Sequence, residues 1–152
     1  MDNRGYIEAN ELCETNLDGI YAVGDARQKY LRQVITAAAD GAIAATAAEK
    51  FIHEEEGFKA MVLEQPIPVV VAFWNPTVPA SMEMNVSIEK ALEAFGTKVK
   101  LVKIDTYRNI RISRKCEVQD IPTVVIFSGG HIVARFTGTF AIEDVAKALN
   151  RL

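Results

Sequence analysis

Apolar residues along the chain fall into short runs and helical stripes, and their order predicts the elements. Near the start, Gly5–Ala9 reads as a short strand, and Asn16-Leu17-Asp18-Gly19 supplies a turn into a second apolar strand, Ile20–Val23, which ends at Gly24-Asp25. From Arg32 to Ile52 the good helix formers Ala, Gln, Lys and Glu dominate, with Ile35, Ala39, Ala42 and Ile43 near helical spacing. Two short strands and one helix enclose no core of their own, so this part is expected to pack on something else.

The second part is more regular. Pro68–Trp74 is a continuous apolar run suited to a strand buried on both faces. A helix is expected from Pro79, with Ile88, Leu92 and Phe95 inward and Gly96 at its end. Val99–Ile104 reads as the next strand and Arg108–Glu117 as a helix. Thr123–Phe127 and Ile132–Phe136 flank Gly129-Gly130, a hairpin signal. Ile142, Val145, Leu149 and Leu152 mark a last helix. The predicted order is β-α-β-α-β-β-α.

Composition and charge narrow the function classes. The 152 residues are 49% hydrophobic, enough for one ordinary core or two very small ones. The most apolar helical run, Val34–Ala48, is interrupted by Thr36, Asp40 and Thr46 and falls short of a bilayer span, so no membrane partner is expected. No secretory pattern is visible at Met1–Gly5, and a cytoplasmic, thiol-reducing setting is the expectation. A net charge of −3 argues against a nucleic-acid partner and for a protein or small-molecule one. Residues 1–55 hold ten acids against five bases, and the remainder is slightly basic; with the run His53–Gly57 this suggests a boundary near residue 56.

Candidate chemistry is sparse. Only two cysteines occur, Cys13 and Cys116, far apart and in no Cys-x-x-Cys pair, so dithiol exchange by the chain alone is not expected. Cys13 reads as an exposed loop residue and Cys116 as a packing residue. His53 and His131 lack ligand-spaced partners, so no metal site is expected. The basic run Arg108, Arg111, Arg114 and Lys115 reads first as a solvated face and second as a docking face for an acidic partner.

The order of elements in residues 56–152, with Phe73-Trp74 before a helix start and Ile121-Pro122-Thr123 entering the third strand, resembles the thioredoxin family. The resemblance implies an α/β thioredoxin-like fold, a central mixed sheet flanked by helices, with a cis-proline at Pro122. It also implies a peptide groove lined by Trp74, Thr77, Val78, Ile121 and Pro122. Where the family carries Trp-Cys-Gly-Pro-Cys, this chain reads Thr77-Val78-Pro79-Ala80-Ser81, so Val78 and Ser81 stand in place of both cysteines. The family's buried acid aligns near Ala72 and is absent too. The resemblance therefore implies a degenerate active-site loop with no catalytic residue.

Thr15–Asp25, followed by Arg32–Gly41, resembles the end of the FAD domain of bacterial thioredoxin reductases. That likeness implies that residues 1–55 are the C-terminal fragment of such a domain. Gly24, Asp25, Arg32, Gln33 and Val34 would form an incomplete flavin site, Asp25 toward the ribityl chain and Arg32–Val34 at the isoalloxazine edge. No Gly-x-Gly-x-x-Gly turn occurs in the 152 residues, so no cofactor is expected for the isolated chain, and FAD only if a reductase portion completes the site. The expectation is a non-catalytic, thioredoxin-like binding module on the tail of a reductase. The alternative is part of a larger or split FAD-dependent reductase–thioredoxin fusion acting in disulfide reduction. A protein or peptide partner is expected, the remaining reductase portion or a second copy among them.

Overall fold

A computed structural model describes all residues from Met1 to Leu152. The chain forms two compact units, Met1–Glu55 and Glu56–Leu152.

The first unit is mostly loop followed by helix. The two expected strands are reduced to isolated bridges, Ile7 with Arg27 in parallel and Glu14 with Tyr21 antiparallel. Neither run has a long enough neighbour to build a ladder. A short 3-10 turn, Gly24–Ala26, opens at a glycine with φ +64°, where an added Cβ would sit 3.5 Å from the Ala37 methyl. Helix α1 spans Val34–Phe58, longer than expected. The glutamates at 54–56, read as a boundary, are good helix formers and do not stop it. Within the first unit its buried positions are Asp40, Ala44 and Ala47 rather than the isoleucines; Ile35 is 75% exposed. The small-residue face turns inward because alanine lets the helix approach the loops closely.

In the second unit α1 passes at Phe58 into one π-helical stretch, Lys59–Leu63. Four strands follow: β1 Val69–Trp74, β2 Lys100–Asp105, β3 Thr123–Ser128 and β4 His131–Thr137. They pair in the order β2-β1-β3-β4, with β1 and β2 parallel and the other neighbours antiparallel. Helices α2 (Pro79–Glu93), α3 (Ile110–Lys115) and α4 (Ile142–Leu149) complete the α/β unit. α3 is shorter than its basic run suggested, and Leu152 lies beyond α4 and is exposed.

The sheet divides two cores. On one face Phe58 and Val62 meet Val71, Phe73, Val102, Ile112 and Cys116; on the other Ile88 and Leu92 of α2 and Val145 and Leu149 of α4 cover Val70, Val124 and Ile126. Residues of β1 alternate between the two clusters, which is why that strand is apolar throughout. The β3–β4 hairpin turns at Gly129 and Gly130, both at positive φ. No helix is long and apolar enough to cross a membrane.

Candidate functional site

At the end of β1 the chain leaves Trp74 and enters Asn75–Val78 before α2. Asn75 shapes this loop: its Oδ1 accepts the Thr77 N–H at 2.9 Å and the Thr77 hydroxyl at 2.7 Å. Val78 occupies the N-cap position of α2 with no side-chain cap, and Pro79 takes the first turn, where a missing N–H costs nothing. Ser81 is fully buried. Its Oγ accepts the Asn75 N–H at 3.1 Å and lies 2.9 and 2.7 Å from the carbonyl oxygens of Asn75 and Val78, donating to one at a time. The serine hydroxyl thus ties the loop to the helix start.

Trp74, Thr77, Val78, Ile121 and Pro122 lie at one end of the sheet. Phe73 pairs with Thr123, so Trp74 and Pro122 extend from the same end of adjacent strands. The Ile121–Pro122 peptide bond is cis, and Pro122 is buried. Its carbonyl accepts the Gly138 N–H at 2.9 Å, while Thr123 Oγ1 donates to the Asp120 carbonyl at 2.7 Å. Trp74 is partly exposed, and its carbonyl accepts the Thr106 N–H at 2.9 Å. This end of the sheet has an indole, a valine and a proline, and no thiol or titratable group among the five. The one hydroxyl among the five, that of Thr77, donates to Asn75 Oδ1 within its own loop.

In the first unit Gly24 is buried, Asp25 and Gln33 are exposed, and Val34 is 89% exposed. Arg32 stacks over the Tyr6 ring at 3.9 Å. The Gln33 N–H is taken by Thr36 Oγ1 at 3.1 Å. Asp25 and the first residue of α1 are thus both open to solvent, Asp25 beside the buried Gly24 and Val34 close after the stacked Arg32.

Sequence reasoning missed a polar cluster beneath that segment. Asp40, buried in α1, accepts the Gly24 N–H at 2.9 Å and Lys29 Nζ at 3.1 Å, with Arg27 Nε at 3.8 Å. The Lys29 hydrogen bond, then the Gly24 amide and the Arg27 charge, hold the Asp40 carboxyl below the usual carboxylate range against the opposing effect of desolvation. Cys13, expected to be exposed, is fully buried in this cluster; Arg27 Nη1 donates to its Sγ at 2.9 Å. Its burial follows from the loop wrapping back onto α1, a contact between distant residues that no local pattern signals. Cys116 is buried in the core of the second unit, and no disulfide is present. No cluster of His, Cys, Asp or Glu is grouped to hold a metal ion.

Comparison with known proteins matches residues 49–151 to the family described as thioredoxin. The chain belongs to the thioredoxin family. Residues 1–41 match a second family, pyridine nucleotide-disulphide oxidoreductase. The chain is thus a thioredoxin domain fused to a thioredoxin-reductase-like segment. A thioredoxin reductase of Peptoclostridium litorale is 56% identical over 54 residues, 36% of this chain and 17% of that protein. The bifunctional thioredoxin reductase/thioredoxin of Mycobacterium leprae is 28% identical across 91% of this chain and 39% of its own length. Thioredoxin 1 of a Nostoc species is 28% identical over 62% of this chain and 88% of its own. The chain therefore spans well under half of the reductase and fusion relatives. A solved structure described as "Structure of a malarial protein" superposes with a TM-score of 0.52 at 20% identity, over 56% of this chain and 96% of that one, a likeness of fold.

Proposed function

We propose that the thioredoxin-type unit is a non-catalytic peptide-binding module carried on a reductase-like segment. The observation that supports this most is Val78 and Ser81 at the helix start, the serine hydroxyl engaged within its own loop. Disulfide exchange requires a thiolate that attacks and a second thiol that resolves. Valine offers neither, and both thiols of the chain are buried elsewhere. Backbone pairing of an extended peptide beside Pro122 needs no sulfur, and Trp74 and Val78 supply apolar wall. An insulin-reduction assay with dithiothreitol is the direct test. The full chain is expected to give no acceleration over dithiothreitol alone; clear turnover overturns the reading.

A second reading is favoured by the 56% identity over 54 residues to a thioredoxin reductase and by the match of residues 1–41 to the pyridine nucleotide-disulphide oxidoreductase family. On it, the chain is part of a larger or split FAD-dependent reductase–thioredoxin fusion, in which Gly24, Asp25 and Arg32–Val34 complete a flavin site with a reductase portion as partner. Alone, the chain is then expected to elute from gel filtration without flavin absorbance; retained FAD would contradict the half-site reading.

A further inference from the structure

The turn joining β2 to α3 presents a cationic and apolar surface beside the groove. Asp105 organises it from within. Its Oδ1 accepts the Tyr107 N–H at 2.9 Å, its carbonyl accepts the Asn109 N–H at 2.9 Å, and its Oδ2 lies 3.8 Å from Arg108 Nε. Held this way, Tyr107 is 76% and Ile110 61% exposed, with the Arg108 side chain 83% exposed and Arg114 exposed one helical turn beyond Ile110. No acid occurs from Thr106 to Cys116. Here exposed Tyr107 and Ile110 sit among exposed arginines, and tyrosine and arginine are the side chains that most often anchor interfaces. The Thr106 N–H bonds the Trp74 carbonyl at 2.9 Å, so the turn that carries Tyr107 and Arg108 starts beside Trp74.

We propose that Tyr107, Arg108, Ile110 and Arg114 dock the acidic flank of an extended polypeptide whose apolar core lies in the Trp74–Pro122 groove. The proposal rests on the peptide-binding reading above and names its partner class. The charge of the patch selects glutamate- or aspartate-bearing segments, and its apolar pair selects against fully charged ones. A nucleic acid fits less well, because the chain as a whole is anionic.

Fluorescence anisotropy of the full chain tests this with two labelled peptides, one alternating leucine and glutamate and one alternating leucine and glutamine. The acidic peptide is expected to bind roughly tenfold more tightly, with the advantage shrinking as salt is added and vanishing in the surface variant R108E/R114E. An unchanged circular-dichroism spectrum establishes that the variant is folded. Equal affinity for both peptides, unaffected by R108E/R114E, overturns the acidic-partner proposal and leaves peptide binding standing. Binding of neither peptide overturns both. Tighter binding of a single-stranded oligonucleotide than of the acidic peptide overturns it in favour of nucleic acid.

Discussion

Ser81 carries a different burden from a cysteine. Its hydroxyl serves three loop atoms, so Ser81→Ala leaves the Asn75 N–H without its acceptor in a partly buried setting. The expected cost is about 1–2 kcal/mol, read from urea unfolding followed by Trp74 fluorescence. Asp40 governs the acid side of the first unit. Its folded pKa is depressed, so its stabilising contribution is full above the ordinary carboxylate value of 3.8 and is lost as pH falls through the lower folded value. Asp40→Asn is expected to lower the melting temperature at neutral pH, because Lys29 and Arg27 lose their counter-charge, and to flatten its fall in acid; melting curves across pH check both. The place of Val78 and Ser81 at the start of α2 was legible from sequence because Phe73-Trp74 ends the strand before them and Pro79 marks a first helical turn. Asp40 was not, because its partners Gly24, Arg27 and Lys29 are distant in sequence and meet only in three dimensions.

At the scale of elements, periodicity recovered the strand and helix order of the second unit, since β1 and β3 are buried along almost their whole length, the paired glycines mark the hairpin into β4, and α2 and α4 each bury an apolar face. It misplaced the ends of α1, where no proline or capping glycine punctuates the sequence and Gly57 is carried inside the helix. A methyl at Gly57 meets nothing within 4 Å, so Gly57→Ala is expected to stabilise the helix by about 0.5–1 kcal/mol, measured by thermal unfolding. The opposite result is expected at Gly130, where φ is +80° and a Cβ would sit 3.0 Å from the Leu63 carbonyl oxygen. Gly130→Ala should destabilise the hairpin by more than about 1 kcal/mol in the same assay. The buried face of α1 was the least legible feature. Its isoleucines outrank its alanines in hydrophobicity, yet close approach of the loops selects the small side chains.

The two units differ in how much they bury. The second has two apolar clusters around a four-stranded sheet; the first has single bridges and a small set of buried residues, with Tyr30, Val34 and Ile35 largely exposed. Proteolysis under native conditions is therefore expected to cut within residues 1–33 before any site in β1 or β3, as mass spectrometry of the early fragments would register. Each unit holds one cysteine, and both side chains are sealed, Cys13 at 0% and Cys116 at 3% exposure. A thiol reagent thus reaches each sulfur only when its own unit opens. Mass-resolved alkylation of the unmodified chain then times the two openings separately, with a built-in clock in each half and no label to engineer.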